Sequence, residues 1–170
     1  LQNEYQQEQN KPSCTVCPPG TNCTNSRSQP QLCPAGQFSN PAAQQLACTV
    51  CSPGTMQAAK AQSSCQPCDV GDYTTGQGST ACQQCLAGHS CATASAAPLV
   101  CDPGYFASAG ETRCTRASAG SATLADQSGE AVCPAGWFAP AGSVTCNRCE
   151  KGFYSVATKA SGVEACLPEI

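Results

Sequence analysis

Cysteine is the residue type whose number and spacing could do the most chemistry in this sequence. The chain has 17 cysteines among 170 residues. Five C-x-x-C motifs begin at Cys14, Cys48, Cys65, Cys82 and Cys146. Two thiols at this spacing can bind zinc, exchange electrons or belong to separate disulfides. The pattern that surrounds these motifs decides among the three uses.

A second motif, C-x-x-G, recurs at a nearly constant step. The steps between successive copies are 16, 18, 17, 17, 16, 32 and 16 residues. Ala117-Ser118-Ala119-Gly120 lies at the middle of the long step, with alanine in place of the cysteine. The sequence therefore predicts nine repeats of about 17 residues. We number them 1 to 9, and they begin at Cys17, Cys33, Cys51, Cys68, Cys85, Cys101, Ala117, Cys133 and Cys149.

The repeats divide the chain into two parts. Residues 1–13 are a polar segment rich in glutamine, and residues 14–170 are the cysteine-rich array. No signal peptide is recognisable at Leu1, so we expect either a mature chain or a piece of a larger protein.

Large apolar side chains are scarce in this sequence. Leu, Ile, Val and Phe together account for only 20 of the 170 residues. A domain of this length needs more of them to build an ordinary core. Cross-links must therefore restrain the chain, and the composition excludes an ordinary enzyme fold.

Each repeat except repeat 7 contains its own candidate disulfide. The opening cysteine of C-x-x-G is followed by a closing cysteine 13 to 17 residues later, or six residues later in repeats 1 and 5. Repeat 7 lacks both cysteines, as pairing within each repeat requires. Cys133 resembles both a closing and an opening cysteine, and we favour Cys146 as its partner. The predicted pairs are Cys17–Cys23, Cys33–Cys48, Cys51–Cys65, Cys68–Cys82, Cys85–Cys91, Cys101–Cys114, Cys133–Cys146 and Cys149–Cys166.

The zinc and redox alternatives explain less of the sequence. Two C-x-x-C motifs with 13 residues between them have the spacing of a zinc ribbon. A ribbon explains neither the recurring glycines nor the two short repeats. A thioredoxin-like site requires a βαβ pattern, which is absent. We interpret each C-x-x-C as a closing cysteine, two linker residues and the next opening cysteine, and we expect no metal and no cofactor.

The remaining repeat positions predict the elements that hold the cysteines. The glycine of C-x-x-G predicts a tight turn, and a second glycine four residues before a cysteine in five repeats predicts a hairpin turn or a bulge. A large apolar residue lies two positions after the first glycine and should be the core residue of a short strand. These apolar residues are Phe38, Met56, Tyr73, Phe106, Phe138 and Tyr154, and the second glycines are Gly78, Gly110, Gly129, Gly142 and Gly162.

These elements predict a small, disulfide-rich fold of β-hairpins and irregular segments. No apolar stripe with helical period persists, so we expect almost no helix. A linear array of such repeats should be elongated. Asn22 and Ser90 replace the apolar residue in the short repeats, where we expect the disulfide to replace the buried ring.

Several residues are candidates for interaction or modification. Tyr105, Trp137 and Phe153 each precede a predicted core aromatic, so they should point outward, towards a partner or the next repeat. Cys14 has no partner in its own repeat and is either unpaired or bonded to another molecule. Asn22 begins the sequon Asn22-Cys23-Thr24, a candidate site for N-glycosylation.

Other polar residues carry weaker signals. The single histidine, His89, should be an exposed turn residue, because nothing in the sequence orients it as a base. The aspartates do not form a calcium-binding loop. Thr93 to Pro98 is a small-residue segment that could carry O-glycans or remain bare.

Charge and cysteine content indicate the surroundings of the protein. Charged residues make up 11 % of the chain and the net charge is -3, with no basic run for nucleic acid. No apolar run is long enough to cross a membrane. The cysteine density indicates an oxidising compartment, so we expect an extracellular or cell-surface protein.

The pattern C-x-x-G-x-[FY], followed by G-x-x-x-C-x-x-C, resembles the ephrin-receptor-like cysteine-rich repeat. It is also similar to the first submodule of tumour-necrosis-factor-receptor-type domains. Residues 51–67, 68–84 and 133–148 match best. The resemblance implies opening-to-closing disulfides, a ladder of small β modules and an extracellular location, and it implies no particular ligand. Long arrays of this kind resemble surface proteins of protists and algae.

These features favour an extracellular structural protein, a rod-like component of a surface coat, a fibril or a flagellar-hair-type filament. Its partners would be further copies or other extracellular proteins, with glycans as an addition. The alternative is a receptor-type ectodomain that binds a protein ligand. We expect no enzymatic activity.

Thiol labelling tests the predicted pairing. Native protein treated with iodoacetamide in the absence of reductant should take up at most one label, on Cys14, because the other sixteen cysteines are paired. Peptide mass spectrometry locates the label. Labelling of several C-x-x-C cysteines after treatment with a chelator would support zinc instead.

Overall fold

The structure is a computed structural model that describes residues 4–5, 15–25, 27–156 and 158–168. Short β-strands of two or three residues dominate it. The described part of the chain contains two 3-10 helices, Pro41–Ala43 and Val163–Ala165, and no other helix. The predicted fold class, a disulfide-rich set of hairpins with almost no helix, is confirmed.

The strands follow one another at the repeat spacing. In chain order they are β1 (Glu4–Tyr5), β2 (Thr15–Val16), β3 (Thr21–Asn22), β4 (Gln31–Leu32), β5 (Gln37–Phe38), β6 (Thr49–Val50), β7 (Thr55–Met56), β8 (Gln66–Pro67), β9 (Asp72–Tyr73), β10 (Gln83–Gln84), β11 (His89–Ser90), β12 (Leu99–Val100), β13 (Tyr105–Phe106), β14 (Thr115–Arg116), β15 (Ser121–Thr123), β16 (Glu130–Val132), β17 (Trp137–Phe138), β18 (Asn147–Arg148), β19 (Phe153–Tyr154) and β20 (Leu167–Pro168). Each odd-numbered strand forms a two-stranded sheet with the strand that follows it.

The second strand of each hairpin comes from the residues just before the next opening cysteine. In repeat 2, for example, Gln37 of β5 lies opposite Val50 of β6, and Phe38 lies opposite Thr49. The two residues inside each C-x-x-C motif are therefore a strand, whereas the sequence was interpreted as having only a linker there.

The chain forms two compact units. The described residues up to Gln83 belong to the first unit together with Thr93–Ala97. Gln84–Ala92 and the described residues from Pro98 onward belong to the second. Repeats 1 to 3 lie in the first unit and repeats 6 to 9 in the second.

Eight disulfides close the repeats, and they are the eight pairs that the repeat rule predicts. Cys133 is bonded to Cys146, the partner favoured from the sequence. Most opening cysteines are deeply buried: Cys17, Cys33, Cys51, Cys85 and Cys133 are at most 1 % exposed, whereas Cys68 is half-buried. Cystine sulfur thus fills the interior that large aliphatic side chains fill in ordinary domains.

Backbone hydrogen bonds join each repeat to the next. In six neighbouring pairs of repeats, the N–H of the first glycine donates to the carbonyl of the residue three positions after the corresponding glycine of the following repeat. The distances are 3.0 Å for Gly20 to Ser39, 2.7 Å for Gly36 to Gln57, 2.8 Å for Gly54 to Thr74, 2.8 Å for Gly88 to Ala107, 2.7 Å for Gly120 to Ala139 and 2.8 Å for Gly136 to Ser155. The repeats therefore stack through their main chains.

This stacking determines which side chains are buried. The residue that accepts the hydrogen bond lies against the neighbouring backbone, so its side chain is small or folded back. These residues are 0 to 8 % exposed: Ser39, Gln57, Thr74, Ala107, Ala139 and Ser155. The preceding large apolar residues were predicted to be the core, and that prediction is wrong. Phe38, Phe106 and Phe138 are half-buried, and Tyr154 is exposed.

The short repeats follow the same rule. Their closing cysteines, Cys23 and Cys91, lie three positions after the glycine and are 5 % exposed. Each cysteine thus takes the place of the small buried residue, and not of the aromatic ring as the sequence suggested. Asn22 and Ser90 remain half-buried at the preceding position.

The hairpin turns depart from the sequence prediction in two repeats. Gly78, Gly110 and Gly142 have positive φ, as predicted. In repeats 7 and 9 the left-handed residues are Gln127 (φ 54°) and Lys159 (φ 64°), and the predicted glycines Gly129 and Gly162 have no such φ. The Lys159 N–H still donates to the carbonyl of Cys133 at 3.0 Å, so the contact between repeats is kept without glycine.

Glycine-to-alanine substitutions test the close stacking. Gly104 and Gly136 have φ of 82° and 80°, so alanine carries a similar backbone cost at both, about 1–2 kcal/mol. A Cβ on Gly104 would also overlap the carbonyl oxygen of Gly142, whereas no described atom lies within 4 Å of a Cβ on Gly136. Gly104→Ala should lower the melting temperature clearly more than Gly136→Ala. Equal losses in a thermal scan would contradict the stacking.

Repeat 7 shows what remains when the cystine is missing. Ala117, Ser121 and Thr123 occupy the positions that Cys17, Thr21 and Cys23 hold in repeat 1. The Thr21 hydroxyl lies 3.3 Å and 3.4 Å from the two sulfurs and donates to the carbonyl of Pro18. The Ser121 hydroxyl is buried and has no hydrogen-bond partner among the described residues.

A disulfide can be introduced into repeat 7 by substitution. The double substitution Ala117→Cys/Thr123→Cys should form a ninth disulfide with the six-residue separation of Cys17–Cys23. The closed loop should raise the free energy of unfolding by up to about 2 kcal/mol. Intact mass and thermal scans measure the two effects, with each single substitution as a control. A double variant that keeps two free thiols would contradict the equivalence of the two repeats.

Candidate interaction surface

The first aromatic of each doubled pair lies on the surface, as the sequence predicted. Tyr105, Trp137 and Phe153 are 38 %, 37 % and 45 % exposed. Each is the first residue of its strand, in β13, β17 and β19. All three belong to the second compact unit.

Two of these rings lie directly opposite an arginine. Tyr105 pairs with Arg116 across β13 and β14, and Trp137 pairs with Arg148 across β17 and β18. Residues in direct register have Cβ atoms about 5 Å apart, so a guanidinium can reach the face of the ring. The Arg116 Nη2 also donates to the carbonyl of Ala141 at 2.9 Å, which fixes that side chain. The repeat thus presents an aromatic–arginine pair twice, 32 residues apart.

A second set of exposed residues was missed from the sequence. The residue just before the opening cysteine ends the second strand of each hairpin, and in five hairpins it is an exposed aliphatic residue. We call these residues the aliphatic row: Val16, Leu32 and Val50 in the first unit, and Val100 and Val132 in the second, all 42 to 65 % exposed. The signal in the sequence is the aliphatic residue before the opening cysteine, at a position to which the linker interpretation assigns no structural role.

The second unit contains an apolar hollow beside this row. It has a volume of about 430 Å³, and its apolar lining includes Val100, Pro103, Leu124 and Val144. Val100, Leu124 and Val144 are 65 %, 43 % and 51 % exposed, so the hollow is open to solvent. Exposed aliphatic side chains that converge on one hollow are typical of contact surfaces.

Repeat 7 supplies one wall of the hollow through a well-anchored hairpin tip. Leu124 donates its N–H to the carbonyl of Gly129 at 2.9 Å and closes the tip. The Gln127 side-chain amide lies within hydrogen-bond distance of three carbonyls of repeat 6, at 2.9 Å from Cys101, 2.9 Å from Asp102 and 3.2 Å from Tyr105. Side-chain hydrogen bonds therefore hold this tip where other repeats have a cystine.

The same tip contains the carboxyl group with a shifted pKa. The Ser128 hydroxyl and the Ser128 backbone N–H both donate to the Asp126 carboxylate, at 2.7 Å and 3.0 Å. These bonds lower the pKa of Asp126 below its ordinary value. The group is fully exposed, so this shift serves the local turn.

The other residues singled out in the sequence add little to this interaction surface. His89 lies in β11 opposite Val100, with Nδ1 3.0 Å from the carbonyl of Ala87, so its predicted place in a turn is wrong. The described residues contain no group of three metal-binding side chains and no helix that could cross a membrane. Thr93 and Ser95 are exposed. Cys14 lies outside the described residues.

No family model matches the chain. No curated protein matches it significantly.

The single tryptophan reports on this surface. Because Trp137 is exposed and lies opposite Arg148, acrylamide should quench its fluorescence in the native protein, and Arg148→Ala should increase the quenching constant. Arg113→Ala removes an exposed arginine that is not opposite Trp137 and should leave the constant unchanged. Native fluorescence that resists quenching until the protein unfolds would contradict the exposed position.

Proposed function

We propose that this protein is an extracellular structural protein whose copies associate into a cell-surface coat, a fibril or a flagellar-hair-type filament. The observation that carries the proposal is the aliphatic row, which recurs at one position of the repeat in both compact units. Single exposed aliphatic residues are ordinary on protein surfaces. Because these residues recur at one structural position, each hairpin of the row presents an exposed aliphatic side chain in the same place.

The internal construction of the repeats supports a structural role. Cystines and main-chain hydrogen bonds provide the cohesion of each unit, so the outward side chains are left free to make contacts between molecules. Eight disulfides are typical of an oxidising environment. The resemblance to ephrin-receptor-like repeats and to protist surface arrays agrees with this proposal.

The apolar hollow is the docking point that we propose for a second copy. Its lining residues Val100, Leu124 and Val144 can accept aliphatic side chains. The row of another copy supplies such side chains, among them Leu32 and Val16, which are 63 % and 65 % exposed. Cys14 would add a covalent link between copies.

A receptor-type ectodomain is the second candidate function, and the aromatic–arginine pairs favour it. Tyrosine, tryptophan and arginine are the residues most enriched at the energetic centres of protein interfaces. Tyr105 with Arg116 and Trp137 with Arg148 would then form the ligand contact.

Sedimentation velocity over a concentration series tests self-association. The Cys14→Ser protein should associate reversibly, and Val100→Ser/Val132→Ser in that background should weaken association at least tenfold. Val156→Ser removes a valine that is 77 % exposed but is outside the row, and it should behave like the parent. A parent that remains monomeric at every concentration would contradict the filament proposal and favour the ectodomain.

A non-reducing gel tests the proposed covalent link through Cys14. Wild-type protein should form disulfide-linked oligomers on a non-reducing gel, and Cys14→Ser should remove them. Monomeric wild-type protein on such a gel would contradict the role given to Cys14.

A further inference from the structure

The chain contains one N-glycosylation sequon, Asn22-Cys23-Thr24. The geometry of this segment indicates when a glycan could be attached to it. Asn22 is the last residue of β3, lies opposite Gln31 and is half-buried. We propose that Asn22 carries an N-linked glycan that is attached before the Cys17–Cys23 disulfide closes. The proposal rests on the extracellular location proposed above.

The folded hairpin leaves the acceptor nitrogen available. The Asn22 Oδ1 accepts the Thr24 N–H at 3.0 Å and the Thr24 hydroxyl at 2.8 Å. The Asn22 Nδ2 makes no hydrogen bond to any described residue. A sugar on Nδ2 therefore removes no contact that the described structure depends on.

The middle residue of the sequon is locked once the protein has folded. Cys23 is 5 % exposed and is bonded to Cys17. Its N–H donates to the carbonyl of Leu46 at 2.8 Å. An enzyme that must hold the acceptor tripeptide cannot reach a residue fixed from both sides, so transfer has to come first.

The order of synthesis leaves time for this transfer. Leu46 lies 24 residues after Asn22, and chain elongation at about 5–20 residues per second delivers it about 1–5 s later. Disulfide formation takes seconds to hours. The sequon therefore enters the secretory compartment seconds before Leu46, the hydrogen-bond partner of Cys23, does.

The transfer uses a lipid-diphosphate-linked oligosaccharide as the donor. The bond between the sugar C1 and the phosphate oxygen breaks, and the lipid diphosphate leaves with the electron pair. The Asn22 Nδ2 forms the new bond to C1 and loses one proton to solvent. No oxidant or reductant is involved.

Peptide mass spectrometry after enzymatic deglycosylation in H₂¹⁸O tests the proposal on the full chain, expressed behind a cleavable secretion signal in a eukaryotic cell. Wild-type protein should show ¹⁸O-labelled deamidation at Asn22, and Thr24→Ala should abolish it. Secreted wild-type protein without a glycan at Asn22 would overturn the proposal and leave the filament proposal standing. Failure of the chain to leave the cell behind that signal would count against the extracellular location on which both proposals rest.

A second comparison tests the timing. Thr24→Ser keeps the glycan occupancy of Asn22 below saturation, because serine is a less efficient third residue of a sequon than threonine. In that background, Cys14→Ser/Cys17→Ser should show higher occupancy than Cys14→Ser alone, since Cys23 then has no neighbouring thiol. The matched control Cys85→Ser opens the other six-residue loop and should leave occupancy unchanged. Equal occupancy in all of these variants would overturn the claim that closure competes with transfer.

Discussion

Main-chain contact between neighbouring repeats, fixed in place by one cystine in nearly every repeat, is the interaction on which the rest of this structure depends. The glycine N–H of one repeat reaches the carbonyl of the next at 2.7 to 3.0 Å. Such an approach permits only small or folded-back side chains at the contact, and it requires glycine where a Cβ would overlap the backbone. The chain therefore needs few large aliphatic residues, and those that it has can lie on the surface. The aliphatic row and the aromatic residues can therefore be exposed, because the interior does not need them.

Repeat 7 shows that the main-chain contact between neighbouring repeats can form without a cystine. Its strands are three residues long where the others have two. Gln127 binds three carbonyls of repeat 6, and Gly120 keeps its hydrogen bond to Ala139. The loss of the cystine leaves the buried Ser121 hydroxyl without the sulfur atoms that lie beside the equivalent Thr21 hydroxyl in repeat 1. Because the tip that carries Leu124 belongs to this repeat, the one cystine-free repeat also shapes the apolar hollow.

The sequence predicts the connectivity well and the packing poorly, for a physical reason. Periodicity together with the joint loss of both cysteines in repeat 7 predicts all eight disulfides, because each loop is local. The core residue was misplaced onto Phe38 and its equivalents, since hydrophobicity suggests burial and the close backbone approach at Ser39 cannot be read from residue types. The left-handed Gln127 and Lys159 were missed for a similar reason: hydrogen bonds to other repeats hold them in a conformation that their residue types do not favour. Tyr105, Trp137 and Phe153 lie on the surface as predicted, although strand alternation does not bury the residues that follow them: Phe106 and Phe138 are half-buried and Tyr154 is exposed.

The central claim is that cystines and the contacts they hold in place replace an aliphatic core. Differential scanning calorimetry of the native protein, compared with protein that has been fully reduced and alkylated, tests it most directly. The native protein should show a cooperative thermal transition and the alkylated protein none, because the reduced chain has too little apolar surface to order itself. A cooperative transition that persists after complete alkylation would contradict it.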